Sequence, residues 1–200
     1  MQNSDPDIRL MLAFRDGDPA ALSELYRRWA GPLLRFLERM VRDRATAEEL
    51  MQESFIRVHG ARDRYKPDAR FSTWLFRIAR NLALNELDRS RNRAPHVSTE
   101  VDEGEAAQRA PLTLVSNQSS VDALVEARRE SARMESELAG LPERQRSALW
   151  LTAVEGYSHE EVAEVLETTA ASVKALVHRA RAGLADRMTQ EVVAAGEGKS

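Results

Sequence analysis

Residues 157–184 read YSHEEVAEVLETTAASVKALVHRARAGL. Ser158, with Glu161 three residues later, forms a capping-box pattern that predicts the start of a short helix. A brief turn follows, and apolar residues then recur at positions 173, 176, 177, 180 and 184, on one side of a second helix. Three basic residues fall on a different side: Lys174, His178 and Arg181. This spacing predicts a helix-turn-helix with a basic face for phosphates and base edges, and an amphipathic helix with a solvated basic face is the alternative.

Glu167 lies between these two predicted helices, where glycine is common. The position tends to be left-handed, and that conformation costs a residue with a Cβ on the order of 1 kcal/mol. The motif tolerates this cost.

The rest of the chain also has helical periodicity, with few β-branched runs and no hairpin signal. Asp18 before Pro19 predicts a helix start, and Gly31-Pro32 is expected to kink or split that helix. Thr46 and Glu49 form another capping-box pattern. Further helices are expected from Ser72 to about Arg91 and from Pro142 to Gly156.

The charges are unevenly distributed along the chain. The 200 residues hold 29 Lys and Arg against 32 Asp and Glu, a net charge of −3, which taken alone argues against a nucleic-acid partner. Residues 77–94 and residues 172–187 each carry a local net charge of +3, whereas residues 95–120 carry −3 and two prolines. Two basic patches separated by an acidic tether are compatible with nucleic-acid binding.

Composition excludes several classes of protein. No run approaches the ~18 apolar residues of a membrane span, and the polar N-terminus is unlike a signal peptide, so we expect a cytoplasmic protein without a membrane partner. The absence of Cys excludes disulfides and thiolate sites. The four His have no ligand-like spacing. We therefore expect no metal site, no cofactor and no catalytic residues.

We predict an all-α protein with two small helical domains joined by a flexible acidic linker. The predicted boundaries are 10–94 for an N-terminal helical bundle, 95–120 for the linker, 121–188 for a C-terminal helix-turn-helix domain and 189–200 for a disordered tail.

The helix predicted after residue 70 has a polar strip beside its apolar face. The apolar positions are 71, 74, 75, 78 and 82. Arg77, Asn81, Asn85 and Asp88 lie within an arc of about 80° beside them. Asn suits base edges and Arg suits phosphate or guanine, but a polar seam in a helical bundle explains the pattern equally well.

The segment from Ala47 to Val58 has an acidic face opposite an apolar stripe. The acidic face consists of Glu48, Glu49, Gln52 and Glu53. It is typical of a solvated helix face or of a protein docking surface. Paired catalytic carboxylates are disfavoured because the sequence places no nucleophile, metal ligand or Gly-rich loop nearby.

Taken in order, four segments resemble the extracytoplasmic-function group of bacterial sigma factors. They are AEELMQESFIRVH (47–59), FSTWLFRIARNLALNELDRSRNR (71–93), LPERQRSALWLTAVEGYSHEEVAEVL (141–166) and SVKALVHRARAGL (172–184). The resemblance covers roughly residues 10–188. It implies a promoter-specificity subunit that works only when docked on core RNA polymerase, with polymerisation done by the core enzyme.

The resemblance implies that the loop 61–70 and the helix from Phe71 read the single-stranded −10 element, with a flipped base held in a pocket. The implied base contacts are Arg77, Asn81 and Asn85. The implied phosphate contacts are Lys66, Arg70, Arg80, Arg89, Arg91 and Arg93. Trp74 is expected in the core, because it lies on the apolar face.

For the duplex −35 element, the resemblance implies major-groove contacts from the last helix. The implied contact residues are Ser172, Lys174, Ala175, His178, Arg179 and Arg181. Ala175 and Leu176 stand where the family often has Ser and Arg, which indicates a divergent −35 preference. The acidic linker would thread the RNA-exit path of the polymerase.

Protein partners also follow from the resemblance. It implies that the C-terminal domain meets the polymerase flap and that five residues meet the clamp of the largest subunit: Glu48, Glu49, Gln52, Glu53 and Phe55. An anti-sigma factor that masks both helical units is also expected. The main alternative is a free-standing helix-turn-helix regulator, which would bind DNA tightly without polymerase. The third alternative is a helical protein that binds other proteins and has no role on DNA.

Overall fold

The computed structural model describes residues 5–93 and 136–197, and within these ranges it is helical without a strand. The N-terminal unit, residues 5–93, contains α1 (Pro6–Arg15), α2 (Pro19–Val41), α3 (Arg44–Gly60) and α4 (Phe71–Arg93). The C-terminal unit, residues 136–197, contains α5 (Glu143–Ala153), α6 (His159–Leu166) and α7 (Ala170–Glu197). The predicted all-α fold with two helical domains is confirmed. The predicted linker, residues 95–120, lies outside the described residues.

Helix α1 begins before the predicted domain boundary at residue 10. The Asp5 side chain accepts a hydrogen bond from the backbone N–H of Asp7, and Pro6 stands at the start of the helix. The buried carboxylate of Asp7 accepts hydrogen bonds from the Arg28 guanidinium at 2.8 Å and from the Trp29 indole at 2.9 Å. These charge-assisted bonds attach α1 to α2.

Helix α2 is the central helix of the N-terminal unit, and it packs against α1, α3 and α4. Asp18 caps it by accepting a hydrogen bond from Ala20 N–H, as predicted. Gly31-Pro32 was predicted to kink or split this helix, and the split is wrong, because Pro32 lies inside one continuous helix. Proline removes a single intrahelical hydrogen bond, and the buried side chains of Leu25 and Leu33 on either side keep both halves in the same core.

The predicted capping box at Thr46 and Glu49 is also wrong. Helix α3 starts earlier, at Arg44, and Asp43 caps it by accepting a hydrogen bond from Thr46 N–H at 2.7 Å. Hydrogen bonds from Thr46 hold the pKa of the Asp43 carboxyl below its usual range. Asp43 is also a preferred N-cap residue, and it competed successfully with Thr46 for the same helix end.

Helix α4 is buried on more sides than the apolar repeat predicts. Phe71 and Leu75 are buried as expected, and Phe76, Ala79 and Ala83 are buried as well. The Phe76 ring makes edge contacts with three other rings, those of Trp29, Phe36 and Tyr157. Tyr157 belongs to the C-terminal unit, so α4 lies between the core of the N-terminal bundle and the second unit.

The helix-turn-helix of the C-terminal unit is formed by α6 and α7. The capping box of Ser158 and Glu161 is confirmed, with both reciprocal hydrogen bonds present. Glu167 has φ 51° and ψ 57°, so the left-handed position predicted between the helices is confirmed. Helix α7 continues to Glu197, through most of the stretch 189–200 predicted as a disordered tail. Residues 189–195 contain neither Gly nor Pro, so nothing in the sequence ends the helix before Gly196.

Candidate nucleic-acid and polymerase interfaces

The outward face of α7 contains the residues predicted to contact the −35 element. Val173, Val177 and Ala180 are buried against the unit's core. The Thr169 hydroxyl accepts a hydrogen bond from Ser172 N–H at 3.2 Å and caps the start of the helix. All six predicted contact residues are exposed: Ser172, Lys174, Ala175, His178, Arg179 and Arg181. The structure therefore places them together on a surface that residues 5–93 and the other described residues of the C-terminal unit leave open.

The residues predicted for the −10 element lie along α4 and the loop before it. The exposed members are Lys66, Arg70, Arg77, Asn81, Asn85, Arg89 and Arg91. Arg80 differs, because it is only 5% exposed. The Arg93 side chain lies outside the described residues.

A cleft of about 670 Å³ lies beside this surface. Lys66, Trp74 and Arg77 line it from the N-terminal unit, and Ala163 and Glu167 line it from α6. The Trp74 ring packs on Tyr65 with centroids 5.0 Å apart, so the predicted core position of Trp74 is confirmed in part: one side of the ring is packed while the residue borders the cleft. Aromatic and basic groups thus converge on one cavity, together with the carboxylates of Asp68, Glu164 and Glu167. An aromatic surface beside basic groups suits an unstacked base.

Tyr65 is a member of this cavity that the sequence patterns do not identify. Burial, with smaller contributions from Asp5, Asp68 and Asp7, raises the pKa of the Tyr65 phenol to about 12. The phenol is neutral at physiological pH even at its ordinary pKa, so the ring that packs on Trp74 carries no charge. Its position in a polar loop, without an apolar repeat around it, explains why the sequence patterns miss it.

Three predicted −10 residues contact the C-terminal unit. Arg70 Nε lies 2.8 Å from Glu161 Oε1. Arg80 makes two contacts of 3.3 Å with the Glu143 carboxylate. The Asn81 amide donates to Glu167 Oε1 at 3.4 Å. The surface predicted for DNA is therefore partly occupied by carboxylates of the same chain.

The acidic face of α3 is partly neutralised by neighbouring arginines on the same helix. Glu48 pairs with Arg44 at 2.9 Å, and Glu53 pairs with Arg57 at 3.0 Å. Glu49 and Gln52 are exposed. These i, i+4 pairs stabilise the helix by a few tenths of a kcal/mol each and reduce the net charge that the face presents.

Phe55, predicted to meet the polymerase, is buried, and its ring packs on Tyr26 with centroids 4.8 Å apart. The exposed apolar groups on this side are Tyr26 itself and Ile56, which is 64% exposed. At 100° per residue, Ile56 falls between Glu49 and Gln52 on α3. The structure thus adds Ile56 and Tyr26 to the candidate docking surface and places Phe55 beneath it. Helical periodicity accounts for this difference, because Phe55 lies on the apolar stripe that continues to Val58, whereas Ile56 lies on the opposite, acidic face.

Within the described ranges, none of the helices combines the length and the apolar character needed to cross a bilayer. In the same ranges, no three His, Cys, Asp or Glu side chains come together as metal ligands.

Comparisons with known proteins agree with this layout. Family models for sigma-70 region 2 and sigma-70 region 4 match residues 25–93 and 131–184. The sigma-H factor of Pseudomonas aeruginosa is 30% identical over 90% of this chain and 93% of its own length. CarQ of Myxococcus xanthus is 35% identical over 84% of this chain and 90% of its own length. The extracytoplasmic-function sigma-E factor of Escherichia coli K12 is 29% identical, with 91% of this chain and 94% of its own length covered.

The fold is likewise similar to that of a solved structure. The structure of CnrH in complex with the cytosolic domain of CnrY matches 93% of this chain and 99% of the CnrH chain, with 26% identity and a TM-score of 0.67. The two family models together cover both units of the chain, and the three relatives and this fold each extend over both. The chain belongs to the extracytoplasmic-function sigma factors of bacterial RNA polymerase.

Proposed function

We propose that the two units divide promoter recognition between them while the chain is docked on core RNA polymerase. As a sigma factor, the chain directs promoter-specific transcription initiation with the core enzyme. Each unit has its own exposed basic face, on α4 and on α7, and this observation supports the division of promoter recognition between the units. The proposed domains keep the bounds 10–94 and 121–188, with residues 95–120 as the tether in the RNA-exit path.

The N-terminal unit is proposed to melt and hold the −10 element. Arg77, Asn81 and Asn85 contact base edges of the non-template strand, and a flipped base enters the cleft beside Trp74. Unstacking a base costs a few kcal/mol, which stacking and edge hydrogen bonds in the cleft offset. The phosphate contacts are Lys66, Arg70, Arg80, Arg89, Arg91 and Arg93.

The C-terminal unit is proposed to read the −35 duplex with α7 in the major groove. A helix fits this groove, and its exposed Lys174 and Arg179 suit phosphates and guanine edges. Ala175 offers only a methyl group, which suits contact with a thymine methyl. We therefore expect a −35 preference that differs from the family's common pattern.

Docking on the clamp of the largest polymerase subunit is assigned to the exposed face of α3, and docking on the flap to the C-terminal unit. On α3, Ile56 supplies the apolar centre, with Glu49 and Gln52 as its polar rim. An apolar anchor surrounded by polar groups is the usual composition of an interface hot spot.

Replacing Ile56 with arginine is expected to weaken binding to core RNA polymerase by about 10- to 100-fold, because burying an isoleucine contributes roughly 1.5–3 kcal/mol. The measurement is a titration of labelled chain with core enzyme, followed by fluorescence anisotropy. Ile56→Val is the matched control and should bind within a few-fold of the original chain. Since Ile56 is exposed, both variants should melt at the same temperature, and an unchanged affinity of Ile56→Arg would remove Ile56 from the docking surface.

We further propose that the chain performs no catalysis of its own, works in the cytoplasm where transcription occurs, and is held inactive by an anti-sigma factor. The RpoE sigma factor of Bartonella quintana, whose solved structure shares this fold with a TM-score of 0.61 and 22% identity, is in complex with the anti-sigma factor NepR. This complex supports the proposal of an anti-sigma partner.

Transcription of genomic DNA in vitro tests the proposed function without a known promoter. Core polymerase is incubated with genomic DNA of the source organism, with and without the chain, and the RNA 5′ ends are sequenced. The expected result is a set of start sites that depend on the chain and share motifs near −35 and −10. If the chain binds core polymerase in the same reaction but adds no start sites, the proposal is wrong.

A further inference from the structure

A second cavity, of about 210 Å³, lies between the end of α2 and the turn that precedes α5. The described residues that line it are Glu38, Arg39, Arg42, Leu138, Ala139 and Arg146. Three guanidinium groups and one carboxylate give this lining a formal net charge of +2. None of the three arginines belongs to the surfaces proposed for promoter DNA or for polymerase. The cavity is therefore a separate feature, and its charge indicates an anionic ligand.

Arg146 is the most buried of the three arginines, with only 7% of the residue exposed. Its Nη1 donates to the backbone carbonyls of Ala139 at 3.1 Å and Leu141 at 3.3 Å. Its Nε is buried and donates to no group among the described residues. Carbonyl oxygens satisfy N–H groups but do not neutralise a charge, and a buried charge without a counter-ion is unfavourable. An anion in the cavity would supply the missing counter-charge.

The electrostatic surroundings of Arg146 agree with this assignment. Burial, and then the positive charge of Arg42, lower the pKa of the Arg146 guanidinium, whereas Glu143 acts in the opposite direction. The Glu143 carboxylate is itself paired with Arg80 at 3.3 Å. Arg42 and Arg146 therefore repel each other, and a negative charge between them replaces this repulsion with two attractions.

Arg42 reaches the same cavity from the end of α2. It is exposed, and its Nη2 donates to the Ala139 carbonyl, the oxygen that also accepts a hydrogen bond from Arg146. A guanidinium has five N–H donors, so each group keeps further donors for a ligand. The shared carbonyl brings two guanidinium groups together at one edge of the cavity.

The other charged residues of the lining have partners of their own. Glu38 accepts a hydrogen bond from Arg44 Nη1 at 2.8 Å. The guanidinium carbon of Arg39 lies 3.6 Å from the centre of the Trp150 ring, and Arg39 also attracts the Glu155 carboxylate. The two arginines that share a carbonyl are therefore assigned as the groups that bind the ligand, and Arg39 is a further positive charge at the cavity wall.

We propose that this cavity binds a phosphate dianion, either inorganic phosphate or the terminal monoester of a small molecule. The planar fork of arginine matches the oxygens of phosphate, and a phosphate monoester carries a charge of about −1.5 to −2 near neutral pH. That charge compensates the net charge of +2 on the lining. Such a ligand binds the chain without touching either of the surfaces proposed for the promoter.

The volume of the cavity favours a small molecule over a nucleic acid. At about 210 Å³ it is smaller than the roughly 300–1,000 Å³ of pockets that enclose a whole ligand, so it holds the phosphate and only a small part of its carrier. Leu138 and Ala139 supply apolar lining for that part. A phosphodiester of DNA or RNA carries a single charge, which compensates only one of the two positive charges.

The test is an NMR titration of the full ¹⁵N-labelled chain at neutral pH, with the ionic strength held constant by chloride. The probes are inorganic phosphate, adenosine 5′-monophosphate and, as an uncharged comparison, adenosine. Backbone amide signals of residues 39–42 and 138–146 are expected to shift with both phosphate probes and not with adenosine. The expected dissociation constant is on the order of 0.1–1 mM, because a few charge-assisted hydrogen bonds form at a partly exposed site.

The two phosphate probes distinguish the sources of the ligand. Equal or tighter binding of inorganic phosphate identifies the phosphate group alone as what the cavity recognises, and tighter binding of adenosine 5′-monophosphate shows that the carrier adds contacts. Both results support the inference. No shift with either phosphate probe at concentrations well above the expected constant, or shifts with a single-stranded oligonucleotide alone, would overturn it.

Arg42→Gly is the variant that removes one guanidinium from the cavity. Arg42 has φ 59°, a left-handed conformation that glycine adopts more easily than arginine, so the melting temperature should stay the same or rise. The affinity for inorganic phosphate is expected to fall about tenfold or more, because a charge and its hydrogen bonds are lost. Arg9→Ala on α1 is the matched control, since it removes one charge at an exposed position away from the cavity and should bind within twofold of the original chain.

Arg42→Lys separates the planar fork from the charge. Lysine keeps the positive charge and the same left-handed backbone, but it cannot bind two phosphate oxygens as a fork, so the affinity should fall severalfold. If Arg42→Gly and Arg42→Lys both bind phosphate as tightly as Arg9→Ala, the cavity is not the site and the inference is wrong. These arginines lie outside the proposed promoter contacts, so the start sites found with genomic DNA test the proposed function independently of this result.

Discussion

Replacing Arg77 and Asn81 together with alanine is expected to reduce promoter-specific initiation by on the order of 10²- to 10³-fold, because each good base contact contributes roughly 1–3 kcal/mol. Both side chains are exposed on α4, and Arg77 also lines the cleft beside Trp74. Their loss removes interactions with the melted strand and none with the buried core. The measurement is the rate of open-complex formation at a mapped promoter, with saturating variant on core enzyme.

Saturation with the variant matters, because Asn81 also donates a hydrogen bond to Glu167 of the C-terminal unit. At saturation all molecules are docked, and only the DNA contacts distinguish the variant from the original chain. Arg9→Ala with Arg15→Ala, two exposed positions on α1, removes more charge and should change the rate less than threefold. If the α4 variant supports open-complex formation as fast as this control does, α4 does not read the −10 element. The polar strip would then serve only in contacts within the helical bundle.

Replacing Phe76 with alanine is expected to lower the free energy of unfolding by about 3–5 kcal/mol, the usual cost of deleting a buried aromatic ring. Phe76 is fully buried, and its ring contacts Trp29 and Phe36 in the N-terminal core and Tyr157 across the two units. The cost includes both the lost edge contacts and the cavity, because the three surrounding rings cannot all move in to fill the space. Urea unfolding of the full chain followed by far-UV circular dichroism measures the loss.

Two further variants divide this loss between the core and the contact of the two units. Phe76→Leu keeps most of the volume and should lose less than half as much free energy. Tyr157→Leu removes only the ring on the C-terminal side, and it should lower the free energy of unfolding less than Phe76→Ala does, because the contacts of Phe76 with Trp29 and Phe36 remain. A loss below 1 kcal/mol for Phe76→Ala would mean that the ring is not part of a tightly packed core.

Local signals in the sequence predicted the start of a helix correctly wherever only one residue was a candidate for the N-cap. Asp18 with Pro19, and Ser158 with Glu161, cap α2 and α6 as predicted, because their side chains satisfy backbone N–H groups within the next turn. The left-handed Glu167 was predictable from its position directly after the last residue of α6, where helices commonly end in that conformation. The failures occurred where two local candidates competed, as with Asp43 and Thr46, or where packing overrode a local signal, as at Pro32.

The sequence predicted which residue types form the candidate site, but it predicted less well which of these side chains are exposed. The six α7 residues and most of the α4 residues are exposed as a DNA contact requires. Arg80 looks the same in the sequence as Arg77, yet one is buried against Glu143 and the other is exposed. Phe55 and Ile56 are adjacent apolar residues of opposite exposure, and helical periodicity distinguishes them, because Phe55 lies on the apolar stripe of α3 and Ile56 on its acidic face.

By itself, the sequence determined the helical class, the two units, the basic faces of α4 and α7 and the sigma-factor family, because periodicity, caps and charge are properties of residues close together in the chain. Only the tertiary structure decided that α4 has a second buried side and that Glu143, Glu161 and Glu167 cover its polar strip. These residues are between 63 and 91 positions away from their partners along the chain, and no local pattern records which distant carboxylate meets which guanidinium or amide.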